Sequence, residues 1–207
     1  KEFKLHHDAF EAWDRYVNTY GDVSTTFIPF PSGMGYSTNK KCCYYEMERL
    51  HDPFHSKCQK VVQVLLGLDL PNHYQCDNTG QHMGPYTLRR YLDSTALKLE
   101  DLARGIAQLY AIIQYGSQQT AYDVEMILGE VDQTLCLATI DFDKSDKINQ
   151  SDKIEQYDSE TIKALTRALI SAHFPVSRSE PDLNHLYYIA KNTYIETAER
   201  YQSGNIA

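Results

Sequence analysis

The chain has 207 residues, 42% of them hydrophobic and 23% charged, enough to bury a substantial core with neither a membrane nor a metal to hold it together. Its net charge is −8, the acidic surplus lies from residue 98 onward, and no basic stripe is present to neutralise phosphates, so nucleic acid is not an expected partner. The longest apolar runs, such as Val61 to Leu66, are far shorter than a bilayer requires, and no membrane span is expected.

In chain order, Phe10, Trp13, Tyr16, Val17 and Tyr20 recur at helical spacing and predict an amphipathic helix over 7–20, stopped by Gly21. Residues 22–39 hold Pro29, Pro31, Gly33 and Gly35 between aromatics and read as an ordered loop laid on the core by Phe27, Phe30 and Tyr36. A second helix is expected over 40–50, with Cys43, Met47 and Leu50 on one stripe. Asp52-Pro53 then opens a third toward Leu66, closed by Gly67. Residues 68–85, rich in Pro, Asn, Gly and His, read as a second irregular connection. Leu99, Leu102, Ile106, Leu109, Tyr110 and Ile113 hold one helical stripe to Gly116. Val124, Ile127, Leu128, Val131 and Leu135 hold another, and the two are expected to pair as a helical hairpin about Tyr115-Gly116-Ser117. Ile162, Leu165, Leu169 and Ala172 suggest a helix ending before Pro175. Ser179-Glu180-Pro181-Asp182 opens a last one carrying Leu183, Leu186, Tyr187, Ala190, Tyr194 and Tyr201 to Gly204. Sustained strand alternation is not evident. The expected fold is therefore an all-α, disulfide-stabilised bundle of about six to eight helices with two irregular loops in the N-terminal half. It would be a single domain over 1–207, pinned by disulfides over 1–85, with a regular helical part over 86–207 and a polar linker near 141–158.

Of the five cysteines, Cys42, Cys43, Cys58 and Cys76 crowd one stretch. They read as the disulfide framework of a secreted, extracellular protein, and a chain beginning at Lys1 reads as a mature product or a fragment. Adjacent helical residues point about 100° apart, so Cys42 and Cys43 would reach Cys58 and Cys76, in one order or the other. Cys136 stands in the apolar run Thr134-Leu135-Cys136-Leu137-Ala138, the setting of a small buried hydrophobe.

Three constellations carry candidate chemistry. Gly33-Met34-Gly35, Cys42-Cys43, His51-Asp52 and Cys58 follow an order that resembles secreted phospholipases A2, in which a glycine loop holds calcium and a His-Asp pair serves as base and calcium ligand. The resemblance implies a calcium-dependent hydrolase using His51 and Asp52, although the gap from Cys43 to His51 is wider than the family's. His51, His55, Cys43 and Cys58 also form a candidate zinc set, with Pro53 between the two histidines. From Asp141 onward, Asp141, Asp143, Ser145, Asn149 and Asp152 occupy the oxygen-donor positions of a calcium loop that resembles an EF-hand, with Asp146 where such loops place Gly. Asn149-Gln150-Ser151 is an N-glycosylation sequon, inside a tandem repeat of Ser-Asp-Lys-Ile.

None of these matches a complete catalytic template, whereas 16 tyrosines and an aromatic loop suit a contact surface. The expected function is non-enzymatic binding of a partner protein or small apolar ligand, or self-assembly, through Phe27, Phe30, Met34, Tyr36, Tyr44 and Tyr45. Calcium, if any, would be the one cofactor.

Overall fold

The computed structural model describes residues 1–21, 26–37, 42–51, 62–67, 75–76, 81–148, 159–169 and 172–203, and within these spans the side chains of 36–37, 42–44, 75–76, 81, 159–162 and 164 lie outside the description. The order of elements is α1 (Glu2–Tyr20), β1 (Thr26–Phe27), β2 (Pro31–Ser37), β3 (Cys42–Met47), β4 (Val62–Val64), β5 (Gln75–Cys76), β6 (Gln81–Met83), α2 (Pro85–Leu92), α3 (Leu99–Ala111), β7 (Glu125–Val131), β8 (Thr134–Ile140), α4 (Ser159–Leu169) and α5 (Pro181–Gln202). A π-helical turn, Ile112–Gly116, extends α3.

The fold is mixed α and β, which corrects the all-α expectation. Six strands form one sheet in the order β1-β8-β7-β4-β6-β5, and β2 and β3 form a separate antiparallel pair. In the large sheet β1 runs parallel to β8 and β4 parallel to β6, while the other neighbours are antiparallel. Five helices are present among the described residues, fewer than the six to eight expected.

Each departure has a local cause. The stripe Val124 to Leu135 forms the β7–β8 hairpin because both faces of β7 are covered: Met126, Ile127 and Leu128 are all buried, and a continuous buried run fits a helical template as readily as a strand. Its turn, Asp132-Gln133, has φ 47° and 63°, the paired left-handed backbone that a two-residue hairpin demands, reached without the glycine that would have announced it. Cys42–Met47 is a strand paired with Pro31–Ser37, so the 40–50 helix and the 22–39 loop are both replaced by a hairpin. Val62–Val64, placed by sequence at the end of a helix, is the central strand β4, with Val62 and Val64 buried toward the helices. The 68–85 connection contains β5 and β6.

The disulfide framework is corrected as well. Among the described residues there is no disulfide, Cys136 is a buried free thiol, and the side chains of Cys42, Cys43, Cys58 and Cys76 lie outside the description. The pairing argument also loses its premise, since Cys42 and Cys43 sit on a strand. Secretion and glycosylation at Asn149 rest on sequence alone, residue 149 being outside the described spans.

Of the helices read from periodicity, α3, α4 and α5 form near their expected ranges, the 124–135 stripe does not form one, and α1 begins at Glu2 and not at residue 7. In α1 the buried positions Leu5, Ala9, Ala12 and Tyr16 follow helical spacing, and Gly21 ends it with φ 71° while its N–H bonds the Val17 carbonyl at 2.9 Å. The centre is α3, where Leu99, Leu102, Ala103, Gly105, Ile106, Ala107, Leu109, Tyr110 and Ala111 are all buried, so the helix shows an apolar face in nearly every direction. It is started by Asp101, whose Oδ2 accepts the Lys98 N–H at 3.0 Å, the reciprocal half of a capping box. One hydrophobic cluster joins it to α1, α2, α5, Val64 of β4, Met83 of β6, Met126 and Leu128 of β7 and Leu137 of β8. Each large aliphatic side chain there contributes about 1.5–3 kcal/mol by leaving water.

The end of α3 is tied to α1 and α5 through Gly116. A Cβ at this position would lie 2.7 Å from Cζ and from Oη of Tyr201, whose hydroxyl donates to the Ala12 carbonyl at 3.1 Å. Gly116→Ala is therefore expected to cost about 1–3 kcal/mol in urea denaturation, with an unchanged m-value. In a Tyr201→Ala background the same substitution should cost measurably less; equal costs in both backgrounds would rule the contact out.

Candidate functional site at the end of β8

Asp141 leaves β8 with φ 61°, a left-handed conformation that Asp tolerates better than most residues. The turn sends the next side chain, Phe142, fully into the core, where its ring stacks on His6 of α1 with centroids 4.9 Å apart. Asp141 and Asp143 flank this buried ring. His6 is itself completely buried, and its Nδ1 lies 3.3 Å from the Tyr45 hydroxyl of β3. That hydroxyl donates to Glu2 Oε1 at 2.8 Å, so its oxygen accepts from His6, which assigns the imidazole proton to Nδ1. Three separate parts of the chain, α1, β3 and the end of β8, thus meet at one phenol.

Burial and charge set the protonation of the group. Desolvation holds the His6 imidazole down to about 4, against an opposing push from the Pro29 carbonyl, so the ring is neutral. Burial, the Glu2 hydrogen bond and the surrounding carboxylates of Glu2, Asp141 and Asp143 push the Tyr45 phenol upward. Asp141 is pushed up to about 6, first by burial and then by the charge of Asp143, with Glu125 at the start of β7 adding to it; its side chain is hydrogen-bonded to that of Asp143. The charge of Asp143 and its contact with Asp141 thus both favour the protonated form of Asp141. Neighbouring polar side chains are committed elsewhere: Ser145 Oγ accepts the Ala121 N–H at 3.1 Å and Lys144 pairs with Asp123.

This arrangement differs from the sequence-derived calcium loop. Asp141 and Asp143 do come together, but a strand leads into them in place of the entering helix of an EF-hand, and Ser145 is buried in a structural hydrogen bond. Asn149 and Asp152 lie outside the described residues. Of the hydrolase pair, His51 is exposed, its backbone bridged to Glu130 by hydrogen bonds of 3.1 and 3.0 Å, and Asp52 is outside the description, as are His55 and the side chains of Cys43 and Cys58 from the zinc set. Among the contact residues, Phe27 is half-buried against Trp13, with rings edge-on at 5.6 Å, and Tyr45 is the anchor just described. Phe30 and Met34 are 42% and 73% exposed, and the side chains of Tyr36 and Tyr44 are outside the description. Sequence reasoning missed Glu2, His6 and Glu125. A histidine in the apolar register of α1, one turn before Phe10, was the available signal for His6.

No protein family, curated protein or solved structure matches this chain. Among the described residues no helix is long and apolar enough to cross a membrane.

Asp141 gives the fold a pH dependence of definite sign. A carboxyl whose folded-state value is raised from 3.8 to about 6 favours folding when protonated, so its stabilising contribution is complete below pH 3.8 and lost as pH rises through about 6. Asp141→Asn keeps the left-handed turn and removes the charge. In thermal melts its Tm should exceed that of the unmodified protein at pH 7.5, and the step between pH 4 and pH 7 should shrink. An unchanged step would place the titration elsewhere.

Proposed function

We propose that the protein works by contact, binding a partner protein through the β2–β3 hairpin without turning over a substrate. The observation that carries this reading is the display of Met34 and Met47 on a fixed strand pair, with Phe30 immediately before it, its ring 5.1 Å from that of Phe10. Met34 is 73%, Phe30 42% and Met47 38% exposed, while the same hairpin is fastened to α1 by Tyr45. Exposed single hydrophobics are ordinary, but Met and Phe gathered at one short hairpin are the composition of an adaptable binding surface. Register supports the grouping, since Pro31 pairs with Met47 and Met34 with Tyr45.

The anchor matters to affinity. The ring of Tyr45 packs edge-on against Phe3 at 5.9 Å, and its hydroxyl engages Glu2, so the hairpin is held before a partner arrives and less ordering entropy opposes binding. Self-assembly through the same surface would use the same residues.

A photo-crosslinking residue at position 34 tests the proposal, with one at exposed Tyr122, 47% accessible on the β7 side, as the contrast. The expected outcome is a discrete adduct from position 34 that disappears in a Met47→Ser background of unchanged melting temperature. A dimer-sized adduct would identify self-assembly. Equal labelling from positions 34 and 122 would sink the reading.

A further inference from the structure

We infer that the surface of α1 carries a transition-metal site, formed by His7, Asp8 and Glu11 and suited to a zinc-like divalent cation. The three side chains each offer one ligand atom, and these atoms lie within 4.8 Å of one another. His7 Nδ1 is already 3.7 Å from Glu11 Oε1. Around a tetrahedral ion with bonds of about 2.0–2.1 Å, neighbouring ligand atoms sit about 3.4 Å apart, so small rotations of the side chains close the set. Phe30 is shared with the hairpin reading, but none of the three donors belongs to that surface or to the site around Asp141.

An i, i+4 His–Glu pair on a helix is by itself an ordinary surface contact. Two further features raise this one above that. The first is a third donor, Asp8, whose Oδ2 is held by Lys147 Nζ at 2.6 Å, so that Oδ1 is the oxygen open to a metal and the ammonium competes with it. The second is the apolar surroundings of His7, whose imidazole lies 6.2 Å from the ring of Phe3 and 6.4 Å from that of Phe30. One nitrogen and two carboxylate oxygens select zinc and its neighbours over calcium or magnesium, which prefer all-oxygen shells with more ligands. Three protein ligands leave a position open, in the manner of zinc sites that bind water or an incoming group.

Lys147 also supplies the sharpest check, because its ammonium, shared between Asp8 and the Ser117 carbonyl at 2.8 Å, opposes a cation at Asp8. The test is isothermal titration of the intact chain with zinc chloride, and with calcium chloride as the contrast. One saturable zinc site is expected, with calcium giving none at these residues. His7→Ala or Glu11→Gln should weaken zinc by more than about tenfold, and Lys147→Met should tighten it, while circular dichroism stays unchanged. Zinc binding that is indifferent to His7→Ala belongs to other residues and overturns the inference. So does the lack of any saturable zinc heat up to about millimolar concentration, the range of weak metal sites.

Discussion

The chain leaves α3 and enters the sheet through a buried segment that is tied to its surroundings by hydrogen bonds, and two glutamine side chains on that segment make several of them. A loop inside a protein cannot use water, so every N–H and C=O in it must be matched by another group. Gln114 is fully buried; its Nε2 donates to the carbonyls of Thr120, at 3.1 Å, and Leu165, at 3.3 Å, and its Oε1 accepts from the Tyr194 hydroxyl. Gln119, also fully buried, donates to the Leu5 carbonyl and to Ser117 Oγ, both at 2.8 Å. Two amides thus join the loop to α1, α4 and α5. The segment after β8 closes the other side, with Thr120 N–H on the Asp146 carbonyl at 2.8 Å and Ile148 N–H on that of Gln118 at 2.9 Å. Gln118, Ala121 and Asp123 are held at φ 54°, 55° and 59°, conformations that cost a non-glycine residue free energy and persist because the surrounding bonds over-determine them. The start of β7 and the position of Asp141 both follow from this junction.

One helix then serves three environments. Toward the core, α1 presents Leu5, Ala9, Ala12 and Tyr16. Toward the hairpin it offers Glu2 and His6, and on the surface His7, Asp8 and Glu11. His6 and His7 are neighbours in sequence and differ by about 100° around the axis, which is enough to separate their chemistry. The first is sealed under Tyr45 and Phe142 and kept neutral; the second stands half-buried near two aromatic rings beside carboxylates.

The helices α1, α3, α4 and α5 were legible because each buries one stripe or nearly all its surface at 3.6-residue spacing, and because Gly21 and Pro181 punctuate them. The strands were not, for three distinct reasons. In β7 both faces are covered, which erases alternation. In β2, Pro31, Gly33 and Gly35 read as loop, yet a two-stranded edge tolerates proline and glycine that a central strand would refuse. β4, β5 and β6 are two or three residues long, too short for any period to register. The site was half legible: Asp141 and Asp143 announce themselves two apart in sequence, while Glu125 reaches them only because β7 pairs with β8, Glu125 opposite Ile140. Cysteine spacing misled because it was read on a helix that the backbone does not form.

Electrostatics decides which of these features responds to pH. The phenol of Tyr45 is raised and the imidazole of His6 lowered to about 4, so between pH 5 and pH 8 neither changes its proton, and the bonds that anchor the hairpin persist across that range. Asp141, raised to about 6, titrates inside it. The anchor and Asp141 adjoin one another, yet of these groups only Asp141 changes charge near neutrality. Its ionisation therefore acts on the stability of the junction after β8, where like charges gather, more than on the display of Phe30, Met34 and Met47. A hairpin fastened by groups that hold their protons keeps its anchor while the junction after β8 loosens, and the two effects separate because burial moves the imidazole away from neutral pH and a carboxyl toward it.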